Sequence, residues 1–256
     1  MLQAIPDRDT KTQAAQHLAR IMAIDPYNAR LQIPHRSWRL YRIGAIGELE
    51  FYSQQLRQAG IPCFTQTINR INNINVYEVK YLEQAGPTVK VRCTDDQGIQ
   101  GAFQFKATEV SQRVEGLLPV FEEALQIDFT KRLQRYTRKT AILDYIRMGD
   151  LHLPDRQTIL RFCDQNYDFH QGIPLGEGKQ DPHQTNSLNW NNLLKLWSKL
   201  LPQVPLTNEF TPFGETAIEF SQSLATVKPK LQLHRRESSL WDNAWQLYSS
   251  LAFYQS

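Results

Sequence analysis

Cysteine is scarce in this chain: Cys63, Cys93 and Cys163 are the only three in 256 residues, and no Cys-x-x-C pair occurs. An odd number at such wide spacing excludes the disulfide framework of a small secreted domain. Each thiol sits among strand-forming residues and is expected to be small buried filler. Long apolar runs are also lacking, for no stretch approaches the ~18 residues of a membrane span. Residues 1–10 carry Asp7, Arg8 and Asp9 and lack the apolar core of a secretory leader. The expectation is a soluble, cytoplasmic protein without membrane insertion. Charge of one sign is missing too. The formal charge of +3, from 29 basic and 26 acidic side chains, is too small to imply nucleic acid or an acidic membrane from bulk charge alone.

Chemical motifs are equally sparse. There is no phosphate-cradling glycine loop and no G-x-S-x-G elbow. Glu78-Val79-Lys80 places a carboxylate and an amine on one side of a strand, as metal-dependent nucleases do. No Asp or Glu lies between Phe51 and Tyr77 to complete such a site, so an exposed cross-strand charge face is expected there. The most metal-like grouping is Cys163, Asp164, Asp168 and His170, joined by Asp150 and His152. It mixes hard and soft ligands at no recognised spacing, and Asp164 and Asp168 bracket Gln165-Asn166 as turn residues do. His152, between Leu151 and Leu153, reads as a strand residue facing solvent or satisfied by a neighbour. No catalytic residue, cofactor or metal ligand is assigned.

What is present is packing. An apolar fraction of 41% suits a folded chain with a buried core. A first helix is expected from Asp9 or Thr10, with Ala15, Leu18, Ala19 and Met22 on one face, and a short second one after Asp25-Pro26. Strand 38–43, a helix with Ile46, Leu49, Tyr52 and Leu56 on one face that Gly60 terminates, and strand 61–68 form a β-α-β unit whose strands lie parallel if they share a sheet. Alternation then predicts strands 76–82, 88–93 and 101–106 as an antiparallel meander. Val110, Val114, Leu117, Leu118, Phe121 and Leu125 stand at helical spacing and predict a closing helix, broken midway by Gly116 and Pro119. A second meander is expected in 141–148, 151–153, 158–163 and 167–170. The cleanest amphipathic stripe closes it, with Trp190, Leu193, Leu194, Trp197, Leu200 and Leu201 together and both tryptophans in the core. Two further helices are expected near 213–224 and 241–253.

The fold class is therefore α+β: an N-terminal helical and β-α-β unit (1–70), a first meander with its helix (71–130), and a second meander with its helix and C-terminal helices (131–256). The two meanders share local wording, Arg92-Cys93-Thr94-Asp95-Asp96-Gln97 against Arg161-Phe162-Cys163-Asp164-Gln165-Asn166, which reads as a duplication. Asp25-Pro26-Tyr27-Asn28-Ala29-Arg30, the β-α-β unit behind it, and Asn189-Trp190-Asn191-Asn192-Leu193-Leu194 resemble a set of uncharacterised bacterial proteins, some annotated through attached tetratricopeptide repeats. The resemblance spans most of the chain, although this chain has no recognisable repeat. It implies a helix-capped meander like that of the pleckstrin-homology superfold, and no catalytic residues.

Basic residues cluster locally. Arg30, His35, Arg36, Arg39 and Arg42 lie beside Trp38 and Tyr41. Lys131, Arg132, Arg135, Arg138 and Lys139 surround Tyr136, and Lys228, Lys230, His234, Arg235 and Arg236 form a third group. Arginines on phosphates with aromatics stacked on bases would make the first two sets a polyanion-binding surface. Abundant packing signals beside few convergent polar ones favour instead a non-catalytic adaptor, assembly or regulatory protein whose partner is another protein. RNA or DNA binding through 30–42 and 131–139 is the alternative, and a metal-dependent enzyme centred on 163–170 is the third reading.

Overall fold

A computed structural model describes residues 1–128, 135–175, 186–230 and 239–255; within the two longest strands, side chains are described up to Phe121, at Ile142 and from Asp144 onward. Strand β1 (Leu2–Gln3) leads into helix α1 (Arg8–Met22), whose first turn is capped by Asp7 accepting from the Thr10 amide at 2.8 Å. The start is therefore one to two residues earlier than Asp9 or Thr10. Helix α2 (Pro26–Gln32) begins as expected, with Asp25 accepting from the Tyr27 and Asn28 amides and proline at the first helical position. Strand β2 (Trp38–Arg39), helix α3 (Ile46–Gln58) and a bridge at Cys63 form the β-α-β unit. Both of its strand ends pair antiparallel with β1 and so run parallel to each other. The strand expected over 61–68 is reduced to that bridge, because Thr67 caps a further helix, α4 (Ile68–Asn72).

The rest is one seven-stranded sheet with helices on both faces. Strands β3 (Asn75–Gln84), β4 (Thr88–Thr94) and β5 (Gln100–Lys106) form the first meander; β6 (Gln112–Asp128), β7 (Arg135–Leu153) and β8 (Thr158–Cys163) form the second. Helix α5 (Asn186–Leu200), strand β9 (Leu206–Thr207), and helices α6 (Phe210–Ala217), α7 (Ser221–Leu224) and α8 (Leu240–Phe253) complete the chain. The sheet order is β5-β4-β3-β8-β7-β6-β9. The meanders are fused side by side through the parallel pair β3 and β8, where Val76 faces Ile159.

Four expectations are corrected by this topology. The helix expected over 110–125 is strand β6, so no helix closes the first meander. Its apolar residues satisfy a helical spacing, but the alternating set Val114, Gly116, Leu118 and Val120 is what faces α6 and α8. The separate strands expected over 141–148 and 151–153 are instead one continuous strand, β7. Residues 167–170 form no strand, although the Asp168 amide bonds to the Lys80 carbonyl at 2.7 Å and ties this loop to β3. The matching hexapeptides fall in β4 and β8, a middle strand and a last strand, so the shared wording does not occupy equivalent places in the two meanders.

One face of the sheet packs on α5. Trp197 meets Phe162 edge-on at 5.1 Å, and Trp190 is buried against Gly149, as the stripe predicted. The other face packs on α6 and α8, where Phe210, Trp245 and Tyr248 stack among themselves. Helix α8 is buried on every side from Ala244 to Phe253, because the sheet covers one side and the N-terminal unit another; Trp38 packs on Tyr248 at 5.4 Å.

Gly116 marks how close this packing is. A Cβ there would come within 2.6 Å of Trp245 and 3.0 Å of the Phe210 Cβ. A buried indole has no room to move aside. Gly116→Val is expected to cost about 1–3 kcal/mol, measured as a lowered urea midpoint, whereas Gly47→Val on α3, with open space around it, should move the midpoint by less than half as much.

Candidate functional site

Three features stand out, and they differ in what they can do. The first is a polar network inside the core. Arg161 on β8 and Asp150 on β7 are cross-strand neighbours with no solvent exposure to speak of. Their pairing is bidentate, Nε to Oδ1 at 2.9 Å and Nη2 to Oδ2 at 2.7 Å. The remaining guanidinium nitrogen, Nη1, donates to Gln246 Oε1 at 2.8 Å and to the Pro229 carbonyl at 3.2 Å. Ser249 donates to Asp150 Oδ2, so its oxygen lone pair faces His152 Nε2 at 3.0 Å, and the ring carries its proton on that nitrogen. Nδ1 is left without a partner. Burial lowers the His152 pKa to about 4; the Asp150 carboxylate opposes this and the Arg161 charge adds to it.

Asp, Ser and His in contact resemble a hydrolytic set, but the order is wrong for one. The serine gives its proton to the carboxylate rather than to the imidazole, and none of the three lines the large cavity described below. The network ties β7, β8 and α8 together. His152 is thus a core residue and does not face solvent.

The metal-like grouping is dispersed. Cys163 is buried, with its thiol pushed up to about 12 by burial. Asp164 accepts from Arg147 at 3.1 Å, Asp150 is taken by Arg161, and Asp168 accepts from the His170 amide. Among the described residues no group of three or more His, Cys, Asp or Glu side chains converges. Glu78 corrects the expectation of an exposed charge face: it is only 8% exposed, bonded to Lys80 Nζ at 2.9 Å and to the Asn166 amide.

The basic residues are not gathered into one surface in the part that is described. Arg39 pairs with Glu219 at 3.3 Å, Arg42 pairs with Glu48 and stacks on Tyr52, and Arg36 is exposed. Trp38 is no free stacking platform, since it lies against Phe64 and Tyr248. Lys131, Arg132, His234, Arg235 and Arg236 lie outside the described residues. Arg135, Arg138 and Lys139 are in β7, their backbones opposite Asp128, Leu125 and Ala124.

The second feature is the arm made by β6 and β7. Strand β8 pairs with β7 only from Met148 to Leu153, and β9 pairs with β6 only at Arg113 and Val114. From Leu117 to Asp128 the ladder continues as two strands, roughly 40 Å at ~3.3 Å per residue. Among the described residues no third strand joins it there. On the α8 side the arm is supported as far as Phe121, which meets Trp241 at 6.4 Å. On the α5 side cover stops at Gly149. Leu117 and Tyr145 follow on that face, each 42% exposed.

The third feature is a cavity of about 640 Å³ between α3, the segment 40–44, the loop into α4, and the helices α7 and α8. Its wall is mainly apolar, with Leu49, Ile68, Ile71, Leu224, Val227 and Leu251 among the lining residues; Arg42, Glu50 and Arg70 are the charged ones. As a closed void it would cost on the order of 15 kcal/mol at ~24 cal/mol per Å³, which matches or exceeds the whole net stability of a domain. It is therefore a space open to solvent or to a ligand, within the range of roughly 300–1,000 Å³ of small-molecule sites.

Two outcomes follow for the buried network. Asp150→Ala should destabilise by about 3–5 kcal/mol, because it strands a buried guanidinium, while Asp150→Leu combined with Arg161→Met should cost much less in the same chemical denaturation series. Between pH 6.5 and about 4 the unfolded chain binds a proton at His152 that the folded chain does not. Stability therefore falls as pH drops through that window, by up to about 3 kcal/mol, and changes no further from this group below it. His152→Gln should flatten that part of the stability profile; identical slopes for the two proteins would contradict the assignment.

Comparison with known protein families, with curated proteins and with solved structures finds no match for this chain. The reading of function rests on these three features.

Proposed function

We propose that this is a non-catalytic adaptor, assembly or regulatory protein that binds another protein through the β6–β7 arm. The observation that carries the reading is the arm itself. A two-stranded ladder standing clear of its sheet is marginal in water, and unpaired strand edges beside exposed Leu117 and Tyr145 are what a partner chain can add to and cover. The polar side chains that do converge, around Arg161, are consumed in holding the core.

The partner is an extended segment of another protein, apolar where it meets Leu117 and Tyr145 and acidic where it follows the outer arm. Residues 122–141 carry Lys131, Arg132, Arg135, Arg138 and Lys139 against Glu122, Glu123 and Asp128, an excess of positive charge that suits such a segment. Nucleic acid on 30–42 is the weaker reading, because Arg39 and Arg42 already hold carboxylates and Trp38 is packed. Three free, buried cysteines suit a reducing compartment, and we place the protein in the cytoplasm. No helix among the described residues is long and apolar enough to cross a membrane.

A photoreactive phenylalanine analogue at Tyr145, compared in cells with the same analogue at exposed Tyr27 on α2, tests the arm. The expected result is a discrete protein adduct from position 145 alone, lost when Leu117→Asp is added and weakened by salt. Adducts only to nucleic acid, only to a second copy of this chain, or equal at both positions would overturn it.

A further inference from the structure

We propose that the cavity beside α3 and α8 is a binding site for a long-chain carboxylic acid, with its hydrocarbon chain inside and its carboxylate on Arg70. The site shares no residue with the β6–β7 arm, so it stands or falls separately from the arm.

Protein interiors pack as densely as organic crystals. A space of about 640 Å³ at the seam between the N-terminal unit and the C-terminal helices is a different kind of region. Water filling it would find few hydrogen-bond partners along Leu49, Ile68, Ile71, Leu224, Val227 and Leu251. A hydrocarbon chain replaces that water with dispersion contacts, and the gain grows with each methylene buried. The exposed Ile43 and Ile46, which also line the cavity, continue the apolar wall out to the solvent side.

The charged groups on the wall choose the end group. Arg42 is engaged by Glu48 and stacked on Tyr52, so it offers little to a ligand. Arg70 has its guanidinium over the Tyr254 ring at 4.3 Å, and among the described residues no carboxylate pairs with it. The Tyr254 hydroxyl holds the arginine's own backbone carbonyl at 2.9 Å, which fixes ring and residue together. Arg70 lines the apolar cavity and is exposed, and a planar guanidinium held over Tyr254 matches a carboxylate bidentately. A cationic end group is disfavoured by two arginines against the single lining carboxylate, Glu50.

Titration of the purified full chain with a fluorescent long-chain fatty acid tests this. Saturable one-to-one binding is expected, competed by unlabelled palmitate. Arg70→Glu should weaken the acid about tenfold or more while leaving a long-chain alcohol unaffected. Ile68→Trp and Leu49→Trp, each filling the cavity and each checked for an unchanged circular dichroism spectrum, should abolish both ligands; two variants guard against one failing to fold. Absence of saturable binding, equal acid affinity in Arg70→Glu, or binding that survives in the folded tryptophan variants would overturn the proposal. So would co-sedimentation with phosphatidylglycerol vesicles without binding of the free acid, since the chain would then come from a bilayer.

Discussion

The Asp150–Arg161 ion pair is the constraint on which the rest of the architecture depends. It sits where β7, β8 and α8 meet, with both partners out of water. An isolated charge there would be prohibitive, so the two strands must hold this register and α8 must bring Gln246 and Ser249 to the free donors and acceptors. Close packing of Trp245 over Gly116 holds α8 by shape, and the polar set adds a directional restraint on top of it. The polar set permits one placement of α8, and through Trp38 on Tyr248 that placement carries over to the N-terminal unit.

With α8 so placed, the molecule's usable surfaces are the places where its layers fail to match. The sheet runs beyond its helices, and the excess becomes the β6–β7 arm with Leu117 and Tyr145 uncovered. The N-terminal unit meets α7 and α8 without filling the space between them, and the mismatch becomes the cavity. Both are properties of how elements end or meet. Neither requires a chemically unusual residue, which is consistent with a chain whose motifs are structural.

Much of the local structure was legible. Asp25 before Pro26 announced α2, Gly60 after the stripe of α3 marked its end, and the Trp190 and Trp197 stripe gave a buried helix, because caps and helical periodicity act over a few residues. Strand β6 was not legible, since Val114, Leu117, Leu118, Phe121 and Leu125 fit a helical period, and the true alternation Val114, Gly116, Leu118, Val120 is masked by Gly116, over which Trp245 lies. Gly149-Asp150 read as a gap between two strands for a similar reason. The aspartate's partner, Arg161, is close in space through the register of β7 with β8 and gives no local signal. The cavity drew its wall from segments of the chain far apart in sequence, so no window of residues announced it.

The amino-acid sequence by itself determined the α+β class, the amphipathic helices, the first meander, and the burial of the cysteines and of Trp190 and Trp197. Those follow from near-neighbour chemistry: capping, alternation and the aversion of apolar side chains to water. Only the tertiary structure decided that two meanders fuse through β3 and β8 into one sheet, that β6 is a strand, that a charged pair lies at the core, and where the arm and the cavity open. Each of those depends on contacts between residues distant in the chain, and such contacts gain their energy only after the whole fold has brought them together.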